Sequence, residues 1–181
     1  MKKIKQDVLL HACCAICSAY PIELLKELGY EPSVYFFNPN IFPEAEYHKR
    51  LDAQKSLCDK LACSLIVEEY VPNEYKNVAV GLENEPEKGK RCEKCFELRL
   101  LKTAKKAKEL GIENFATSIT ISPHKNFELI SKLGKTISQE YDINYLDIDF
   151  KKKDGFLKSN NMAKDFKLYR QNYCGCEYSI R

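Results

Sequence analysis

Val8-Leu9-Leu10-His11-Ala12-Cys13-Cys14-Ala15-Ile16-Cys17-Ser18 is an apolar run followed at once by three cysteines. The run is too short for a secretory h-region and reads as a buried strand over residues 8–12. Residues 18–28 follow as a helix that Gly29 terminates. The same alternation continues along the chain. A strand over 33–37 ends at Asn38-Pro39-Asn40, and 44–61 is a long polar helix. A strand over 64–69 is closed by Pro72, a short helix covers 73–82, and 83–90 is loop. From Cys92, apolar residues recur at Phe96, Leu100, Ala104 and Ala107, which is one helical face ending at Gly111. Strands over 115–119 and 144–148 flank a helix over 126–140, and a last helix spans 156–171.

Strands separated by helices predict an α/β fold: a single-domain, Rossmann-like parallel sheet with helices on both faces. The expected organisation is one α/β domain over 1–181 that ends in a C-terminal tail. Ligands in such sheets bind beyond the carboxyl ends of the strands, which is where the first cysteines fall. No Gly-x-Gly-x-x-Gly and no Walker-type loop is present, so the standard nucleotide fingerprints are absent.

At 181 residues the chain can bury a real core, and 44% hydrophobic with 30% charged residues is ordinary for a globular protein. No apolar run approaches a membrane span. The basic start, Met1 to Asp7, has no signal-peptide pattern, so a cytoplasmic protein without a membrane partner is expected. The net charge of +3 is too small to prove a polyanionic partner. Its distribution says more, because lysines and arginines crowd the second and third cysteine pairs. They form either a solvated helix face or a phosphate-binding rim. Eleven tyrosines and nine phenylalanines offer surfaces on which bases can stack.

Seven of nine cysteines form three clusters: Cys13, Cys14 and Cys17; Cys92 and Cys95; Cys174 and Cys176. In a reducing compartment such spacing points to metal or redox chemistry. Cys92 and Cys95 at a helix start present both sulfurs to one side. With Cys13 and Cys14 they make four thiolates, the complement of a cubane cluster. A structural zinc site, or a thioredoxin-like pair at Cys14 and Cys17, are the alternatives. Cys58 and Cys63 read as buried hydrophobes. Cys174-Gly175-Cys176 is tight for a disulfide, which suits a redox-active pair, with metal ligation as the alternative. Residues 117–126, Thr-Ser-Ile-Thr-Ile-Ser-Pro-His-Lys-Asn, carry hydroxyls, an imidazole and an ammonium before a helix start. His124 there is a candidate proton donor or phosphate contact, and Ser122 or Asn126 a candidate cap. His11 is a core residue, a supporting group or a ligand, and His48 a surface residue.

Five motifs in order resemble one family: residues 9–18, 38–47, 91–100, 117–125 and 169–179. The chain is identified as a member of the epoxyqueuosine reductases of the QueH type, the cobalamin-independent form. The likeness covers essentially the whole chain. One departure is Ile16, where the family commonly has proline; it removes no ligand. The resemblance implies reductive loss of the epoxide oxygen of epoxyqueuosine at the tRNA wobble position, giving queuosine. It implies a [4Fe-4S] cluster on Cys13, Cys14, Cys92 and Cys95, and an additional iron for which Cys17 is a candidate ligand. It also implies a redox-active disulfide between Cys174 and Cys176.

The chemistry needs two electrons and two protons, hence an external electron donor. His124, Lys125 or a tyrosine would deliver a proton. Lys90, Arg91, Arg99, Lys158 and Arg170 are candidates to hold the anticodon stem-loop. The competing readings are a cluster-free thiol-disulfide oxidoreductase and a zinc-stabilised RNA-binding module.

Overall fold

The computed structural model describes residues 5–180. Most of the basic N-terminal stretch read above, Met1 to Ile4, lies outside them. The strands are β1 (Gln6–His11), β2 (Tyr30–Phe36), β3 (Ser64–Val67), β4 (Asn114–Thr117) and β5 (Asn144–Tyr145). They form one sheet in the order β3-β2-β1-β4-β5, and every pairing is parallel. The helices are α1 (Ala15–Glu27), α2 (Glu44–Leu61), α3 (Pro72–Ala79), α4 (Lys90–Glu109), α5 (Phe127–Tyr141) and α6 (Gly155–Asp165). No helix of the described residues is long and apolar enough to cross a membrane.

The period-2 alternation of β1 divides the core. Val8, Leu10 and Ala12 face a layer that includes Ile22 and Leu25 of α1, Leu57 of α2 and Ala163 of α6. Leu9 faces the opposite layer, with Leu100 and Ala104 of α4 and Ile130 and Ile137 of α5. Helices therefore cover both faces, as the alternation of strands and helices required.

Several boundaries differ from the sequence reading, among them the strand expected over 144–148, which stops at Tyr145, and three have a clear local reason. Helix α1 begins at Ala15 rather than 18, because the Cys14 sulfur acts as its cap and accepts from Cys17 N at 3.4 Å. Ser18 then sits inside the helix and donates to Cys14 O and to Gln54 Oε1. The strand expected over 115–119 stops at Thr117, whose hydroxyl accepts from Ile119 N and turns Ser118–Ile121 into a 3-10 helix. Helix α6 ends at Asp165 rather than 171. Lys167 takes φ 53, its N–H bonds Lys164 O, and Leu168 N–H bonds Ala163 O. This is a Schellman closure with lysine in the position glycine usually holds. It frees residues 168–180 to run back across the sheet edge as a tail.

Candidate metal centre and active site

The strand order reverses between β1 and β4, and the crevice outside their carboxyl ends is the natural ligand site. His11, fully buried at the end of β1, braces it. Its Nδ1 lies 3.2 Å from Thr117 Oγ1 at the end of β4, and its Nε2 lies 3.0 Å from Phe37 O after β2. Burial, helped by Arg99, pushes the His11 pKa down to about 4, so the ring is neutral at neutral pH. Asn38 ties the next peptide by donating to Ala12 O at 2.8 Å. His11 is thus a supporting group of the crevice floor.

Just above this floor the sulfurs of Cys13, Cys14 and Cys17 lie within 4.8 Å of one another. They share their protons unequally. Hydrogen bonds with Cys14 and Cys17 hold Cys13 well below the usual thiol range. The bond with Cys13 pushes Cys14 up, and bonds with both neighbours push Cys17 up. One ready thiolate beside two thiols is a donor set suited to a thiophilic metal.

Cys92 and Cys95 lie in the first turns of α4, whose N-terminal amides favour negative charge. Lys88 N donates to Cys92 Sγ at 3.3 Å. Cys95 is buried against Tyr75, Ala79 and Cys176, and burial pushes its pKa up to about 11. These two sulfurs stand outside the 4.8 Å triad. Two cations, Arg99 buried and Lys125 half-buried, link the groups. Arg99 is 3% exposed; burial works against its charge, and Cys95, Cys13 and Cys174 more than restore it. Lys125 donates to Cys174 Sγ at 3.0 Å; burial again opposes its charge, and Cys174 outweighs burial. Positive charge beside these sulfurs suits an anionic iron–sulfur cluster. The residues therefore fit such a group.

The tail brings the third cysteine pair to the same edge. Gln171 Nε2 donates to Cys14 Sγ at 2.8 Å, Cys174 meets Lys125, and Cys176 packs beside Cys95. Arg50 holds the tail's backbone from α2, donating to Cys174 O at 2.9 Å and to Tyr173 O at 3.1 Å. Sequence reasoning did not single out Arg50 or Gln171. The signal for Arg50 is its place four residues after Glu46 on one face of a polar helix.

The remaining candidates separate by exposure. His124 is exposed on the loop after β4, and Asn126 caps α5 by accepting from Leu129 N. Lys90, Lys158 and Arg170 are exposed. Arg91 and Arg99 are not at the surface, which corrects their reading as phosphate contacts. Arg91 spends Nη1 on the carbonyls of Leu82, Glu83 and Glu85 and stacks on Tyr178, so it anchors the 82–85 loop. Cys58 is buried, as expected, while Cys63 is half-buried in the turn between α2 and β3. His48 is exposed beside Glu44.

Known proteins resemble this chain along nearly its whole length. The family model described as epoxyqueuosine reductase QueH matches residues 8–181. The epoxyqueuosine reductase QueH of Streptococcus pyogenes serotype M1 is 41% identical over 99% of this chain and 72% of its own length. That of Staphylococcus epidermidis is 42% identical over 97% of this chain and 76% of its own. The relative in Dehalococcoides mccartyi is 36% identical, with 95% and 91% covered. Among solved structures, the U34-tRNA thiolase NcsA of Methanococcus maripaludis, determined with its [4Fe-4S] cluster, superposes with a TM-score of 0.64 at 15% identity, covering 99% of this chain and 63% of that one. A predicted tRNA methyltransferase subunit of Methanocaldococcus jannaschii gives 0.56, also at 15% identity, over 78% and 66%. At that identity these two speak for the Rossmann-like fold alone. The match along nearly all of the sequence selects the reductase reading over a cluster-free oxidoreductase or a zinc module, and this chain belongs to the epoxyqueuosine reductase QueH family.

Proposed function

We propose that the family reaction, reduction of the epoxide of epoxyqueuosine in tRNA to the alkene of queuosine, runs in the crevice above β1 and β4. The observation that carries this reading is the convergence of three sequence-distant cysteine groups around Arg99 and Lys125 at that edge. A [4Fe-4S] cluster on Cys13, Cys14, Cys92 and Cys95 would supply one-electron transfer, and an additional iron, with Cys17 as candidate ligand, a Lewis acid for the epoxide oxygen.

The chain's own residues do the rest. Removing the oxygen as water consumes two electrons and two protons. The Cys174 and Cys176 thiols hold two of each and release them on forming a disulfide, which an external donor then reduces. Lys125, protonated and 3.0 Å from Cys174 Sγ, is in position to hand a proton toward the leaving oxygen. His124 is the exposed alternative on the same loop. His11 and Asn38 fix the floor and keep the β1 loop in place. Lys90, Lys158 and Arg170 are exposed to hold phosphates of the anticodon stem-loop. One α/β unit carrying a redox tail, working in the reducing cytoplasm, accommodates all of these parts.

The test is conversion of epoxyqueuosine-containing tRNA by anaerobically purified protein with a chemical reductant, read by nucleoside mass spectrometry. Iron-dependent formation of queuosine is expected, and Cys174→Ser/Cys176→Ser should keep its iron but fail in multiple turnover. Conversion that is undiminished in iron-free protein contradicts the reading.

A further inference from the structure

Glu46 and Arg50 form an ion pair inside the protein: Arg50 is 1% and Glu46 7% exposed, and Arg50 Nε donates to Glu46 Oε1 at 2.8 Å. The other carboxylate oxygen accepts from the Tyr169 hydroxyl at 2.7 Å. The two remaining guanidinium nitrogens each take a tail carbonyl, those of Tyr173 and Cys174. Phe42 N donates to Gly175 O at 2.8 Å, so three consecutive carbonyls are held by fixed donors. Gly175 has φ +133, and a Cβ there would meet Arg50 Nη1 at 3.0 Å and Ile41 Cγ1 at 3.3 Å. Burying an ion pair costs desolvation, and apolar residues would pack the space as well. A planar fork is suited to gripping two carbonyls at once, which apolar residues cannot do.

The gripped conformation keeps the two thiols apart in their allegiances. Cys174 Sγ faces Lys125, while Cys176 is buried beside Tyr75 and Cys95. A disulfide requires the sulfurs at about 2.05 Å. With one residue between the cysteines, the bridge has to form against a backbone whose three consecutive carbonyls Arg50 and Phe42 already hold.

We propose that the Glu46–Arg50 pair is a positioning device that biases the Cys174/Cys176 couple toward the dithiol by gripping the tail backbone in its open form. The inference rests on the redox role proposed for that couple. Its effect is to make the oxidised tail easy to re-reduce after each turnover. In glutathione the exchange is balanced: two thiols and one glutathione disulfide give the internal disulfide and two glutathione thiols.

The test equilibrates full-length, iron-loaded protein anaerobically across glutathione ratios, traps free thiols by alkylation and weighs the tail peptide. Arg50→Met should shift the equilibrium constant toward the disulfide by about tenfold, equivalent to about 30 mV. Arg50→Lys, which offers no fork, should fall between it and the wild type, as should Glu46→Gln, with iron per chain unchanged. If Arg50→Met does not fold, the other two variants carry the measurement. Constants equal to wild type in the folded variants overturn the clamp while leaving the redox pair standing. A tail that forms no bridge at any ratio in the wild type and in every folded variant removes the redox pair itself, and the clamp with it.

Discussion

Gln171 donates from Nε2 to Cys14 Sγ across 2.8 Å, joining the C-terminal tail to the first cysteine cluster 157 positions earlier in the chain. The contact exists because α6 stops at Asp165 and releases the following residues toward the crevice. Donors on cluster sulfurs stabilise the reduced, more negative state. Gln171→Leu should therefore keep its iron and become harder to reduce, which a potentiometric titration followed by electron paramagnetic resonance reads directly. An unchanged potential would mean that the amide serves only to dock the tail.

Lys125 is held charged by Cys174 despite being half-buried. A positioned proton donor contributes about 100-fold or more to rate. Lys125→Met should lower single-turnover epoxide reduction by that order while leaving iron content and tRNA affinity intact. Retention of full rate would shift the role to His124 or to a tyrosine.

The residues proposed to hold tRNA phosphates are the exposed ones, Lys90, Lys158 and Arg170. Charge reversal of Lys90, Lys158 and Arg170 together should weaken tRNA binding and flatten its salt dependence by about 0.7–0.9 in log–log slope per lost phosphate contact. Arg91→Glu should behave differently, reducing stability first, because its guanidinium holds three loop carbonyls from inside. Filter binding across a salt series, paired with thermal melts, separates the two outcomes.

Much of this architecture is legible in the sequence, and the exceptions have physical causes. Helix α2 runs over 44–61 as its polar periodicity indicates, between the cis Phe42–Pro43 bond and the left-handed Ala62. The start of α1 was hidden because a cysteine sulfur caps it where Ser, Asp or Asn is the usual signal. The end of α6 was hidden because Lys167 occupies the left-handed position without glycine. The cysteine clusters are visible from spacing alone. Arg50 and Gln171 are not, since their partners lie across the fold, and Arg99 is legible only as a surface charge, because a charge in a basic run looks solvated until the fold buries it.

Packing of α6 can be tested through Gly155. A Cβ there would lie 1.8 Å from Phe150 O and 2.9 Å from Tyr20 Cε1, and backbone cannot move aside as a flexible side chain can. Gly155→Ala should cost at least about 1–3 kcal/mol of unfolding free energy, the usual toll of overpacking. A denaturant midpoint equal to wild type would mean that the α6 start relaxes freely. Since α6 leads directly into the tail, the same variant should loosen the Gln171 contact.

The central claim is that two cysteine pairs from opposite parts of the chain share one cluster. Iron per chain in anaerobically purified Cys92→Ala/Cys95→Ala, set beside a Cys58→Ala/Cys63→Ala control, tests it most directly. The account predicts loss of most iron and of the brown colour in the first variant and full retention in the control. Full iron in the Cys92→Ala/Cys95→Ala protein would contradict it.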